Sequence, residues 1–167
     1  MQSSADGDVV LAKLDDGEDL FASIDALAAE HRIVNGMVMW GIGMLRDFEI
    51  GYYTGTAYER ETYADPMEVL ALHGSYAAKA DPRMHMHVAA VGRDHGVVGG
   101  HLFRGTVAVL NELCLRRLPR IELSRVHNPL SGLKELTIAR GDGPRPLAAA
   151  AGPPARGAKG SRRRTRG

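Results

Sequence analysis

Short apolar segments, separated by glycine- and proline-containing turns, follow one another along most of the chain and predict a succession of β-strands. These segments are residues 9–14, 37–40, 48–53, 57–63, 68–72, 106–118, 121–126 and 133–138. Residues 18–31 differ because their apolar side chains recur every three to four positions, which predicts a helix with Asp16 as its cap. The whole pattern predicts an α+β fold with a sheet-rich mixed or antiparallel core and one main helix.

Two short runs are expected to interrupt these strands. Gly41-Ile42-Gly43 is predicted to end the buried strand 37–40 in a tight bend where two backbones approach closely. A nucleotide-binding loop is disfavoured there, because no third glycine follows at the spacing of the dinucleotide fingerprint. Asn111 and Glu112 are expected to break the long apolar segment 106–118.

The net charge of +1 conceals a division of the 167-residue chain into two parts. Residues 1–139 carry thirteen basic and nineteen acidic residues and are predicted to form the folded domain. Residues 140–167 carry eight basic residues and one acid, and they are predicted to be a disordered tail because they have little apolar surface to bury. A DNA partner would therefore meet the tail, whose candidate phosphate contacts are Arg162, Arg163, Arg164 and Arg166.

Composition narrows the class of protein further. The single cysteine, Cys114, excludes an intramolecular disulfide and fits a reducing compartment. No apolar run approaches the roughly 20 residues that a membrane helix needs, so no membrane association is expected. The first residues have neither the basic region nor the apolar region of a secretory signal, and a cytoplasmic location is expected.

The candidate chemistry lies in three histidines. His85 and His87 are two residues apart in an apolar segment, so their side chains share one face of a strand. Thirteen residues separate His87 from His101, and residues 92–96 are typical of a turn, so a hairpin would bring His101 beside the pair. Neutral imidazoles bind zinc and similar ions, and three protein ligands leave a coordination position open for a Lewis acid.

A less specific interpretation treats these residues as half-buried strand histidines whose hydrogen bonds are satisfied, and this usually holds for a lone histidine. Two histidines on one face and a third across a hairpin favour the metal site. His31, His73, His95 and His127 are not assigned to it. If the site catalyses a reaction, Glu112 and Glu68 are the carboxylates to test as acid–base groups or as partners of the ligands. The sequence has no nucleophile elbow, His-Glu-x-x-His motif or P-loop.

The chain from about residue 9 to residue 138 resembles the PPC domain, also called PCC or DUF296, of plants and prokaryotes. The most specific elements are His85-x-His87 and Val98-Gly-Gly-His-Leu-Phe-Arg-Gly-Thr-Val. The other matching elements are Leu14-Asp-Asp-Gly-Glu-Asp-Leu, Gly41-Ile-Gly-Met-Leu-Arg-Asp, Met67-Glu-Val-Leu-Ala-Leu-His-Gly and Ser131-Gly-Leu-Lys-Glu-Leu. The chain departs from the family pattern at His73, where serine is usual, and it has no Arg-Gly-Arg-Pro hook.

This resemblance implies a homotrimer, and it implies zinc or another divalent transition metal on His85, His87 and His101. Prokaryotic members are commonly described as DNA-binding, although in plant relatives AT-hook segments, not this domain, grip the minor groove. The fold also looks like that of acetolactate decarboxylase and of a zinc-dependent ester hydrolase. The function expected from the resemblance is that of a metal-binding domain with a DNA-binding or regulatory role. The alternative is a zinc enzyme acting on a small carbonyl or ester substrate, although likeness of fold alone does not carry the activity over.

Overall fold

The computed structural model describes residues 1–141, in which it places nine strands and one helix. In chain order they are β1 (Gln2–Asp6), β2 (Val9–Asp15), α1 (Leu20–Glu30), β3 (Asn35–Tyr53), β4 (Tyr58–Tyr63), β5 (Met67–Ala77), β6 (Met84–Val91), β7 (Val97–Arg117), β8 (Ile121–His127) and β9 (Lys134–Arg140). The strand pairings are antiparallel, so the predicted sheet-rich α+β fold with one helix is confirmed. The disordered tail predicted from residue 140 onward lies, from residue 142, outside the described residues.

Seven strands form one sheet in the order β1-β2-β7-β6-β5-β3-β4, and a further pairing of β7 with β3 closes part of it into a ring. The ring consists of β3, β5, β6 and β7. Apolar side chains of the strands and the helix form one core, because alternation places every second strand residue on the inner face. Its largest fully buried members include Phe48, Leu14, Leu20, Ile24, Leu27, Leu45, Leu72 and Met86.

Helix α1 packs on β2 and β7 through an apolar face that includes Leu20, Ile24 and Leu27. Its cap is Asp19, whose carboxylate accepts a hydrogen bond from the backbone N–H of Ala22 at 2.8 Å. The prediction that Asp16 caps the helix was therefore wrong. Asp16 instead accepts hydrogen bonds from Arg46 and from the backbone N–H of Val109, which ties the loop before the helix to the sheet.

Strands β3 and β7 are much longer than predicted, with 19 and 21 residues. Gly41-Ile42-Gly43 does not end a strand but lies inside β3, which bends through shifts of register. The predicted close approach is present there, because a Cβ added at Gly43 would lie 2.2 Å from the carbonyl oxygen of Leu110. Asn111 likewise continues β7, and its buried side chain donates to the carbonyl oxygen of Met44 at 2.6 Å.

Residues 37–40 belong to strand β3, but three of the four are exposed, so the prediction of a buried strand was wrong. The register shift between Val38 and Trp40 turns neighbouring side chains of β3 to the same side of the sheet. Met37, Met39 and Trp40 are therefore exposed, at 42%, 45% and 42% of their surface. This places an apolar patch on the outer face of the ring.

Strands β8 and β9 form a separate hairpin that lies against β3 and β5. The side chain of Leu123 is buried, and its backbone N–H donates to the side-chain oxygen of Asn35 at 3.0 Å. The hairpin thereby places polar side chains of β8 beside strands β3 and β5 of the ring.

Within residues 1–141, no helix has the length and the apolar character that a membrane span requires.

Candidate metal centre

The three predicted histidines lie on β6 and β7. Met84, Met86 and Val88 of β6 are buried, whereas His85 and His87 point to the opposite, open face. His87 is directly opposite His101 in the pairing of β6 with β7, so the hairpin brings the third imidazole to the other two. The ring centroid of His101 lies 4.9 Å from that of His85 and 5.5 Å from that of His87.

The spacing of the nitrogen atoms fits a single metal ion. The Nε2 atoms of His85 and His87 are 3.1 Å apart, and one nitrogen from each of the three rings lies within 4.8 Å of the others. Two imidazole ligands on a tetrahedral zinc ion, at the usual bond length, would have nitrogens about 3.3 Å apart. The Nε2 atoms of His85 and His87 already have about this separation, and a nitrogen of His101 lies close enough to complete a set of three ligands.

The third ring also has a nitrogen that nothing in the described protein satisfies. Nδ1 of His101 is buried and has no hydrogen-bond partner. A buried polar atom without a partner is costly, and binding a cation would relieve that cost. Together with the donor set of three imidazoles, this unpaired nitrogen makes the residues present fit a divalent transition metal.

All three imidazoles are held in their neutral, metal-binding form. Loss of contact with water lowers the pKa of His85 and of His87. The same cause lowers the pKa of His101 to about 4, and it is strengthened by repulsion from protonated His85 and His87 and from the guanidinium groups of Arg60 and Arg125. The rings are therefore neutral near pH 7, and no proton has to be displaced before a metal binds.

A fourth histidine, His73, lies next to the site, although the sequence pattern does not assign it there. It is opposite His87 in the pairing of β5 with β6, and the two rings are stacked with their centroids 6.5 Å apart. His73, His85 and His87 line an open groove of about 420 Å³, together with Met39 and Ser75. Only the register between β5 and β6 reveals this position, because thirteen residues of chain separate His73 from His87.

Aromatic residues enclose the other side of His101. Tyr58 of β4 and Phe103 of β7 lie 5.0 and 4.5 Å from its ring, measured between centroids. The guanidinium of Arg60 stacks on Phe103 at 3.8 Å, while it also donates to Glu49. These contacts orient His101 and partly shield it from water.

The two candidate carboxylates are not brought to the histidines. Glu68 pairs with Val91 and Met44, near the far ends of β5 and β6 from His85. Glu112 pairs with Lys13 and Ile42, and it lines a different cavity with residues of β1 and β2. Among the described residues, the group of potential metal ligands at this site consists of the three histidines. The arginines Arg162, Arg163, Arg164 and Arg166 lie outside the described residues.

These observations define a sheet-rich α+β domain with three converging imidazoles on a strand hairpin. A family model, that of the Plants and Prokaryotes Conserved (PCC) domain, matches residues 1–119, and the chain belongs to this family. The hairpin formed by β8 and β9 lies beyond the matched range. A comparison with curated proteins gives no match.

Solved structures share this fold over most of their length. A metal-containing protein of Archaeoglobus fulgidus is 30% identical, with a TM-score of 0.68, over 78% of this chain and 94% of its own. A plant- and prokaryote-conserved protein of Pyrococcus horikoshii is 24% identical, with a TM-score of 0.67, over 80% and 94%. A candidate DNA-binding protein of Bacteroides thetaiotaomicron is 20% identical, with a TM-score of 0.73, over 81% and 96%.

Proposed function

We propose that the protein is a metal-binding PCC-domain protein that holds one divalent transition metal, zinc, on His85, His87 and His101. The observation that carries this proposal is the convergence of three nitrogens within 4.8 Å of one another on neighbouring strands. The unpaired Nδ1 of His101 supports it, as does the similarity to the metal-containing protein of Archaeoglobus fulgidus. When bound, such a metal supplies a Lewis acid, while the imidazoles hold it and Tyr58 and Phe103 limit access of water to His101.

Elemental analysis of the purified protein tests this assignment. The wild-type chain is expected to contain one equivalent of metal, and His85→Ala, His87→Ala and His101→Ala should each weaken binding by more than about 100-fold, since a lost ligand costs more than a lost outer partner. His95→Ala is the matched control, because His95 lies in the exposed turn between β6 and β7 and should keep the metal. Equal metal content in the wild type and in the three ligand variants would refute the proposal.

We also propose a role in association with nucleic acid, mediated by the basic tail. The support is the clustering of eight basic residues in 140–167, beside a domain that is acidic overall, together with the fold shared with the candidate DNA-binding protein of Bacteroides thetaiotaomicron. Arginines that contact phosphates release bound counterions, so binding of this kind weakens as salt rises. The acidic charge of residues 1–139 argues against a broad DNA contact through the domain itself.

Fluorescence anisotropy with duplex DNA at several salt concentrations tests this role. Replacing Arg162, Arg163, Arg164 and Arg166 by Gln should reduce the slope of log affinity against log salt by roughly 3 to 4, at about 0.9 per phosphate contact. Deleting residues 140–167 should abolish binding. DNA affinity that is the same for the full-length and the truncated chain would rule out the tail as the binding element.

The alternative is a zinc enzyme that acts on a small carbonyl or ester substrate. It is supported by the open face on which His85 and His87 lie, which leaves room for a further ligand on the metal. It is disfavoured by the positions of Glu68 and Glu112, because neither carboxylate is placed to transfer a proton at the imidazoles.

A further inference from the structure

Arg125 of β8 lies beside the candidate metal centre and is held in a fixed position. Its Nε donates to the carbonyl oxygen of Pro82, and its Nη2 donates to the hydroxyl of Ser75, both at 2.9 Å. Ser75 is directly opposite His85 in the pairing of β5 with β6. The β8–β9 hairpin thus places a guanidinium over the strand that flanks the first candidate ligand.

This guanidinium has no acidic partner in the described part of the chain. Arg125 is half-buried, and none of the ion pairs within residues 1–141 includes it. Burial lowers the pKa of Arg125, although an arginine remains charged at neutral pH. A buried charge without a counter-charge is unfavourable, which is why such groups are normally paired.

Two arginines lie around the three histidines. Arg125 donates to Ser75, which is opposite His85, and Arg60 stacks on Phe103, whose ring lies 4.5 Å from that of His101. Among residues 1–141, no carboxylate belongs to the group of potential metal ligands there. Arg60 is already paired with Glu49, whereas Arg125 is not. A divalent cation on three neutral imidazoles would add two further positive charges, which an anion would have to balance.

We infer that the centre takes a ligand with an oxyanion group, a carboxylate or a phosphate, of which one oxygen occupies the open position on the metal and another is bound by Arg125. The hydrogen bonds to Pro82 and Ser75 use Nε and one N–H of Nη2, so the N–H groups of Nη1 remain to bind an oxygen of such a group. Ser75 acts as a positioning residue that fixes the guanidinium through its hydroxyl. This inference rests on the proposed metal binding, and it assigns that site a class of ligand.

Titration of cobalt-loaded protein with anions tests the inference without any assay of activity, because the visible absorption of the metal reports what binds to it. The probes are acetate and inorganic phosphate, which separate a carboxylate from a phosphate preference, with imidazole as an uncharged ligand. Arg125→Gln should weaken binding of the preferred anion about tenfold or more, as expected for a lost hydrogen bond to a charged group, while imidazole binding stays within about twofold. A purely structural role for Arg125 would not separate anions from imidazole.

Matched variants secure the interpretation. Arg93→Gln removes an exposed arginine from the turn between β6 and β7 and should leave anion binding unchanged. Ser75→Ala should weaken anion binding severalfold. If Arg125→Gln does not fold, Ser75→Ala and Arg125→Lys are compared with the wild type in its place. Anion affinities that are equal in the wild type and the Arg125 variants, at full cobalt loading, would overturn the inference and leave the metal site intact. A wild-type chain that takes up no metal would overturn both.

Discussion

Gly74 sets how closely β5 approaches β6 beside the first candidate ligand. A Cβ added there would lie 2.1 Å from the carbonyl oxygen of His85 and 2.6 Å from the sulfur of Met86, so the two strands could not keep their present spacing. Gly74→Ala is expected to destabilise the fold by about 3 kcal/mol, at the upper end of the usual cost of overpacking. It should also lower metal affinity, because the backbone that carries His85 has to move.

Urea unfolding and a metal titration of the same samples measure the two effects of Gly74→Ala. Gly141→Ala is a suitable control, because the nearest atom to a Cβ at Gly141 is 3.5 Å away, an ordinary contact distance. Unchanged stability together with unchanged metal affinity in Gly74→Ala would show that β5 does not constrain the position of His85.

The histidines differ in how far they could be recognised from the sequence. His85 and His87 share a face whatever the rest of the fold does, since that follows from the two-residue repeat of a strand. His101 needed only the short hairpin of β6 and β7, which its glycine-rich turn indicates. His73 reaches the site through the register of β5 with β6, and Arg125 reaches it because the β8–β9 hairpin lies against β3 and β5. Both depend on tertiary packing that a single sequence does not specify.

At the level of elements, the existence of the helix and of most strands could be predicted because their apolar residues follow the period of each structure. Strand β1 could not, since its residues Gln2–Asp6 are polar and it pairs only along the outer edge of β2. The continuity of β3 through Gly41-Ile42-Gly43 could not be predicted either. Glycines usually mark the end of a strand, whereas here shifts of register allow a long strand to bend around the core.

The helix cap shows the same limit over a shorter distance. A cap accepts a hydrogen bond from an N–H two or three residues after it, so Asp16 suits a helix that begins near residue 18, as predicted, whereas Asp19 suits the observed start at Leu20. Arg46 of β3 and the backbone of Val109 in β7 compete for Asp16, and they leave Asp19 to cap the helix. The contacts that distinguish these two chemically identical side chains thus come from strands that lie far away in the sequence.

On the scale of the whole molecule, the homotrimer that the family resemblance implies would explain the apolar patch on the outer face of the ring. Met37, Met39, Trp40 and Ile42 of β3 are each more than two-fifths exposed, and Leu11 of β2 is 52% exposed. Leu11 and Trp40 both pair with Cys114 from opposite sides of β7, so the patch is continuous across three strands. Burying it between copies of the chain would remove this apolar surface from water.

Sedimentation equilibrium tests the trimer. The wild-type chain should have three times the mass of its 18.0 kDa monomer, and Trp40→Lys should shift it toward the monomer, because a charge in the centre of an apolar interface has no partner. Leu130→Lys makes a similar change in the turn between β8 and β9, where the side chain is 94% exposed, and should leave the trimer intact. If Trp40→Lys keeps the wild-type mass, β3 is not the contact surface. If the wild-type chain is itself a monomer, the metal centre must function within a single chain, open to solvent on the side of His85 and His87.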